Sequence, residues 1–352
     1  MERKLASIQK IISVEPIENA DKIEKVKVLG WQCVTKKDEF KQGQLCIYCE
    51  IDSLLPEKSE FEFLRNKEFR IKTMKLRGVI SQGIVFPLDI LSEYDRLNIL
   101  EEYNIHGSDR IIGTDVTEKL GITKFEPPIS PQLMGQAKGN FPTHIVPKTA
   151  EIRLQSAIEI LDEIKGKDIY ITEKEDGTSF TAYYKDRIYG FCSRNLEQKN
   201  EPTNLSIYAK ISQQYKLEEK LKTYFDNHKI NIAIQGEITG DGIAKNPLGL
   251  PRNTYQLHIF NVYDIDNQKY LDYELMKFII RELELECVQV INTGLFKYNL
   301  EELLELSKGK YKGTKNNREG IVIRPTKEEY SETLQGRMSF KVINNDYLLK
   351  EE

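Results

Sequence analysis

The stretch "ITEKEDGTSF", residues 171–180, sets one lysine, Lys174, between Glu173 and Glu175 and follows it with Asp176 and Gly177. β-Branched and aromatic residues on either side predict a strand leading into it and a second strand leading out. Side chains alternate faces along a strand, so Thr172, Lys174 and Asp176 share one face while Glu173 and Glu175 take the other. Lys174 is therefore not simply caged by its sequence neighbours. Gly177 permits a tight backbone approach or a positive φ, which lets the chain turn beneath a ligand. A lysine becomes a nucleophile only when it loses its proton, and with an ordinary pKa of about 10.4 it needs nearby positive charge or desolvation to do so. Taken alone, K-x-D-G reads first as a surface hairpin with a solvated lysine, and its company decides between the two readings.

Working outward, "DIYITEK", "SFTAYY", "RIYGFCSR", "IAIQGEI", "QLHIFNVYDI", "EGIVIRP" and "SFKVI" read as strands, with helical patterns near 203–228, 272–285 and 299–308. That order predicts an α+β domain built on antiparallel sheets. It is preceded by "AEIRLQSAIEILDEIKG", where Ile152, Ile158, Leu161 and Ile164 stand near helical spacing. Residues 121–150 hold five of the twelve prolines and three glycines, the composition of a linker or wrapped loop. Residues 1–120 are rich in short alternating apolar runs separated by Gly, Pro and Asp, which predicts a small β-barrel of the oligonucleotide-binding (OB) kind. The expected organisation is thus 1–120 OB domain, 121–150 linker and 151–352 second domain.

Composition bounds the function. At 352 residues the chain is long enough for two domains, and 39% hydrophobic with 30% charged residues describes a soluble globular protein. The start "MERKLASIQKIIS" lacks the apolar stretch of a signal peptide, so a cytoplasmic location, or a nuclear one in a eukaryote, is expected, without membrane association. Five scattered cysteines do not read as a disulfide framework. Cys46 and Cys49 form a C-x-x-C inside a strand-like run, with no second pair at zinc-finger spacing. A net charge of −4 argues against binding a polyanion by bulk attraction, so any nucleic acid must meet local basic patches.

Four further stretches follow Lys174 in order: "CSRN" (192–195), "QGEITG" (235–240), "HIFNVYDI" (258–265), and "EGIVIRP" (319–325) with "SFKVIN" (339–344). This set resembles the ordered motifs of the covalent nucleotidyltransferases, the polynucleotide ligases and mRNA capping enzymes. The resemblance implies that Lys174 becomes bonded to the nucleotide, that Lys341 reaches the α-phosphate with help from Arg337, and that Arg194 contacts the ribose or the 5′-phosphate end. It implies further that Glu237 serves the ribose and metal-bound water, Glu319 the metal's hydration shell, and Phe260 the purine by stacking. Asp176 and Gly177 join the nucleotide site, Asp176 also beside the metal, and Glu173 is a candidate for the adenine edge. Carboxylates that hold Mg²⁺ or Mn²⁺ mostly through water suit an ion that dehydrates reluctantly.

The candidate OB domain lies in front, and only eleven residues follow Lys341 (352 − 341), too few for the trailing OB domain of DNA ligases and capping enzymes. With "ADKIEKVKVLGWQCVTKKDEFKQG", "LRGVISQGIVFP" and "GITKFEPPIS", that arrangement is similar to the fifth family of ATP-dependent RNA ligases. The family implies ATP, a lysyl-AMP intermediate, transfer of AMP to a 5′-phosphate and sealing by a 3′-hydroxyl of nicked or broken RNA; apart from the family, a monomer is expected. Two departures stand out: Ser339 replaces the first lysine of a K-x-K, and Arg324 stands where lysine is common. In the first domain "RIKTMKLRG" alternates Arg70, Lys72, Lys75 and Arg77 with apolar residues, which would array cations on one strand face for phosphate contacts. The same alternation also describes a solvated edge strand guarded by lysines. A DNA-joining or GTP-using capping enzyme and a non-catalytic OB protein remain the alternatives.

Overall fold

The computed structural model describes residues 3–126 and 131–350, which form two compact units. The first unit comprises the described residues up to 126 together with Leu154–Ile158. Its strands Ala6–Lys10, Leu45–Cys49 and Ile84–Phe86 form one antiparallel sheet, and Ser13–Pro16, Ile23–Val28 and Trp31–Lys36 a second. Alternation turns Val26, Val28, Trp31 and Cys33 inward, where Trp31 stacks on Tyr48 with ring centroids 6.3 Å apart. A hairpin, Met74–Leu76 with Val79–Ser81, turns through Arg77 (φ 48°) and Gly78 (φ 82°), the two left-handed positions of a type I′ turn.

That hairpin changes the reading of the basic stretch. Of the four cations only Lys75 stands in a strand. Arg70 precedes it, bonded to Asp52 (Nη2–Oδ1 2.9 Å) and lying over the Phe125 ring at 3.9 Å. Arg70 is thus engaged by its own unit, while Lys72, Lys75 and Arg77 are exposed. Nor is this unit β throughout: Glu93–His106 is a helix, entered at Ser92, whose hydroxyl accepts the Asp95 N–H, and left at Gly107. Its apolar stripe is thin, with Ile99 alone buried.

The unit's three cysteines, Cys33, Cys46 and Cys49, are free and buried, as is Cys192 of the other unit, whereas Cys287 is partly buried. Burial pushes the Cys46 thiol up to about 12 and those of Cys33, Cys49 and Cys192 further. Ellman's reagent should therefore titrate at most Cys287 in the native protein and all five thiols after denaturation; rapid native reaction of the Cys46/Cys49 pair would show the strand opens.

The second unit comprises the described residues among 128–153 and 159–350. Its larger sheet runs Ala137–Asn140, Leu196–Gln198, Ile188–Cys192, Thr178–Lys185, Ile232–Gly240, Tyr255–Asp264 and Lys269–Tyr270, with Glu286–Cys287 pairing parallel to Tyr255–Asp264. The smaller runs Ile152–Arg153, Phe340–Ile343, Gly320–Pro325, Asp168–Lys174 and Val290–Leu295. Helices Ile207–Gln214, Leu217–His228 and Tyr273–Glu282 cover one face of the larger sheet, where Tyr208, Ile211, Leu221, Met276 and Ile280 meet Phe180, Ile232, Ile234, Ile238 and Leu257. Because Ile232, Ile234 and Ile238 face those helices, Gln235 and Glu237 face the other way.

The Pro/Gly-rich stretch is less of a linker than its composition suggests. Pro131–Gly135 is helical and Ala137–Asn140 is an edge strand paired with Leu196–Gln198; residues 127–130 of the expected linker lie outside the described residues. The expected helix after residue 151 is broken up. Ile152–Arg153 pairs in parallel with Phe340 and Lys341, Leu154–Ser156 is a 3-10 turn that belongs to the first unit, and only Ile160–Ile164 is α-helical.

Candidate active site

Strand register builds the centre. Thr172 stands opposite Val322, and Val322 opposite Lys341, so the three form one row across three strands. Lys174 stands opposite Gly320, two residues on, and therefore projects from the same face as Lys341. Glu319 immediately precedes that rung, and its Oε2 lies 2.6 Å from Lys174 Nζ. From the larger sheet comes Glu237, which faces away from the helices and whose charge is felt at Lys174.

Gly177 owes its place to close approach, since its φ is not left-handed. A Cβ there would come within 2.3 Å of the Ile238 carbonyl and 2.9 Å of Glu237 Cγ. Gly177→Ala should push the strand carrying Glu237 off its position, destabilising by about 1–3 kcal/mol. It should slow the lysine's chemistry by roughly tenfold or more through misplacement; an alanine variant with wild-type melting temperature and rate would show the contact yields freely.

Electrostatics in this cluster are unbalanced. Burial opposes the charge on Lys174, but Glu319 and Glu237 outweigh it and hold the ammonium above the ordinary lysine range. The protein's own charges thus keep Lys174 protonated, and the further positive charge that would free its lone pair has to come with a ligand. Lys341 goes the other way, down to about 7, through burial and the charges of Lys174 and Arg153. Burial raises Glu237 to about 8 against the pull of Lys174, with Glu319, Glu175 and Asp176 adding to the rise. An anionic phosphate would restore the charge of Lys341, and a cation that of Glu237. The carboxylate oxygens suit a hard divalent ion, and among the described residues no three acidic, His or Cys side chains converge closely enough to ligate it bare.

Phe260 is the extra residue of a β-bulge: Gln235 pairs with Asn261 and Gly236 with Ile259, leaving Phe260 between them. The bulge aims its ring into a cavity of about 420 Å³, lined also by Thr172, Tyr170, Tyr273, Ile280 and Val290. Its volume and mostly apolar lining are those of a small-molecule site. The two sequence departures prove to be partners. Arg324 is 2% exposed, donates from Nε to the Ser339 hydroxyl (2.9 Å) and from Nη2 to Glu151 (2.7 Å), and lies 5.9 Å from the Phe260 ring centre. A lysine at 339 would face a guanidinium.

The remaining predicted residues lie outside that row. Glu173 turns its carboxylate toward Arg318 (3.8 Å), on the face opposite Lys174, while its N–H donates to the Gln289 carbonyl. Arg337 is held by Glu328 (Nε–Oε2 2.8 Å), donates to Asn261 and covers the Tyr270 ring, so its guanidinium is already engaged within the protein. Arg194 stands exposed in the turn after Ile188–Cys192, with no described contact to the Lys174 cluster. Three contributors escaped the sequence reading. Glu151 resists its own burial under the influence of Arg324, Lys341 and Arg337 and is held down at about 2. His258, opposite Glu237, pairs with Glu175 (2.8 Å), and Tyr311 reaches the backbone of the lysine segment.

Comparison with known proteins agrees with this construction. A family model described as an OB-fold domain matches residues 5–88, and one described as RNA ligase matches residues 167–343. Among solved structures, a Naegleria gruberi RNA ligase mutant with ATP and Mn is 34% identical, with a TM-score of 0.83 over 99% of each chain. The same enzyme's mutant with AMP and Mn gives the same values, and the enzyme with PPi is 35% identical at a TM-score of 0.82 over 98% of each chain. No curated protein matches. With an antiparallel transferase domain behind an OB domain, and this identity sustained from end to end, the chain belongs to the RNA ligase family.

Proposed function

We propose that this ATP-dependent RNA ligase seals a 3′-hydroxyl to a 5′-phosphate at breaks in RNA, with Lys174 as its nucleophile. The observation that carries this reading is Lys174 Nζ held 2.6 Å from Glu319 on the same strand face as Lys341, with Thr172 of that face and Phe260 lining one cavity. The base enters that cavity against Phe260, which brings the α-phosphate between Lys174 and Lys341. Lys174, once deprotonated, attacks the α-phosphorus; the new P–N bond forms as the bond to pyrophosphate breaks. Glu319, already accepting the hydrogen bond of Nζ, is in position to take the proton. AMP then passes to the RNA 5′-phosphate and leaves when the 3′-hydroxyl attacks that phosphorus.

Asp176, Glu237 and Glu319 would hold a hydrated Mg²⁺ or Mn²⁺, which supplies neutralisation of phosphate charge and of the carboxylates that keep Lys174 protonated. Lys72, Lys75 and Arg77 are assigned to RNA phosphates, in which case affinity falls as salt rises. The test follows label from α-labelled ATP, with Mn²⁺ and 5′-phosphorylated RNA. It should appear on the protein, move to the RNA 5′ end and leave as AMP on sealing. Labelling by GTP alone would move the reading to capping chemistry, and no labelling at all would leave the OB domain as the functional part.

A further inference from the structure

The hydroxyl of Tyr311 sits where three backbone groups of the active site meet. It accepts the Asp176 N–H (2.9 Å) and the Glu319 N–H (3.1 Å) and donates to the Lys174 carbonyl (3.1 Å). One donor and two lone pairs are the whole capacity of a neutral phenol, so the oxygen is saturated by these partners. The ring is 1% exposed, and burial keeps the phenol protonated far above neutral pH, as the donated bond requires. The bonds are not incidental to the strands. The ladder between Asp168–Lys174 and Gly320–Pro325 ends at the Lys174/Gly320 pair, and the two chains then part. The phenol takes the place of the missing next rung.

The segment that delivers Tyr311 is itself fastened. Helix Leu300–Ser307 begins with a capping box at Asn299 and Glu302, and its last carbonyls accept hydrogen bonds from Arg318, which also reaches the Lys308 carbonyl (2.7 Å). Lys310 bridges to Asn317, so residues 308–318 leave and return as a closed excursion with Tyr311 pointing inward. Glu319 follows directly, and its carbonyl accepts the Asn344 N–H.

We infer that Tyr311 is a positioning residue for the transfer step, a single hydroxyl that sets the nucleophile Lys174 against the acids Asp176 and Glu319. The inference rests on the proposed role of Lys174. Tyr311 does not line the cavity at Phe260, so its loss is expressed in the rate of the step and not in nucleotide affinity. Removing the hydroxyl leaves two N–H groups and a carbonyl without their partner and frees the three side chains to drift by fractions of an ångström.

The test uses the full chain and compares Tyr311→Phe with Tyr189→Phe. The latter deletes a buried hydroxyl bonded to Ser212 (2.6 Å) on the helix-covered side of the larger sheet. Both should lose a few degrees of melting temperature. In single-turnover labelling at saturating ATP, Tyr311→Phe should form lysyl-AMP on the order of 10- to 100-fold more slowly, with the ATP concentration at half-maximal rate within about twofold of wild type. Tyr189→Phe should keep the wild-type rate. Equal rates for Tyr311→Phe and wild type would overturn the inference, as would a loss shared equally by the two variants. Hydrogen exchange on the wild-type protein supplies a readout that does not depend on any variant folding: the amides of Asp176 and Glu319 should be protected, and free exchange at both would also overturn it. Failure of the wild type itself to take up label would count against the role of Lys174 instead.

Discussion

Lys174→Ala should leave a folded protein that takes no label from ATP. Other lysines are numerous, but the labelling chemistry needs an amine beside a second basic group and a carboxylate, and the described geometry gives that arrangement to Lys174. Loss of a nucleophile commonly costs several powers of ten, so the covalent band should fall by about 10⁴-fold or more, into background. The substitution also changes its surroundings in a predictable sense. Glu237 loses a charge that lowers its pKa and stays protonated to still higher pH. Lys341 loses a like charge and regains its proton more readily. The cavity at Phe260 is untouched, so ATP should still bind. If the nucleophile is needed only to load AMP, the variant should still seal RNA whose 5′ end has been adenylylated beforehand, more slowly than wild type. A residual band of wild-type intensity in Lys174→Ala would place the covalent bond elsewhere and sink the mechanism, whereas loss of the pre-adenylylated route as well would give Lys174 a second role in the sealing step.

What the sequence displays and what it hides divide along physical lines. Lys174, Glu319 and Lys341 are legible because each lies in or beside a strand whose alternation and β-branched neighbours are local signals, and because their order along the chain is distinctive. Glu237 is legible for a related reason: a lone carboxylate in an apolar strand needs a partner. Glu151 is hidden. It opens the run whose periodicity reads as a helix, and its position depends on Ile152–Arg153 pairing in parallel with Phe340–Lys341, a contact that no local pattern announces. The broken helix after residue 151 has the same origin, because two sets of partners draw the apolar residues of one amphipathic run in different directions. Tyr311 is hidden otherwise: its partners are backbone groups, which are the same at every position of a sequence. Helix Glu93–His106 did carry a signal, the capping Ser92, but one buried apolar residue is too little periodicity to be seen among strands. Arg70 shows that alternation gives faces only where a strand exists, and the strand here begins at Met74.

Arg324→Ala should be among the most destabilising single changes in the second unit. The guanidinium is buried and the Glu151 carboxylate mostly so, with side-chain exposures of 2% and 15%, and removing one partner of such a pair typically costs about 3–5 kcal/mol because the other charge is stranded. For a domain of this size that lowers the melting temperature by roughly 10 °C. The pH dependence carries the sign of the pair. Glu151 is held near 2 against an ordinary value of 4.5, so its contribution to stability is complete above pH 4.5 and is lost as pH falls toward 2. The variant has less of this to lose, and its melting temperature should fall less steeply than that of wild type between pH 5 and pH 3; equal slopes would mean that Lys341 and Arg337 alone hold Glu151 down. The hydrogen bond from Arg324 to Ser339 permits a sharper test, because it links the two positions at which this chain departs from the wider pattern. Ser339→Lys alone brings an ammonium against the guanidinium and should destabilise, and Arg324→Lys alone gives up the forked contact with Glu151 and Ser339. If the two departures compensate each other, the double variant Arg324→Lys/Ser339→Lys should be less damaged than the sum of the singles, with a coupling of about 0.5–3 kcal/mol. Strict additivity would mean that the two positions changed independently and that the arginine serves Glu151 alone.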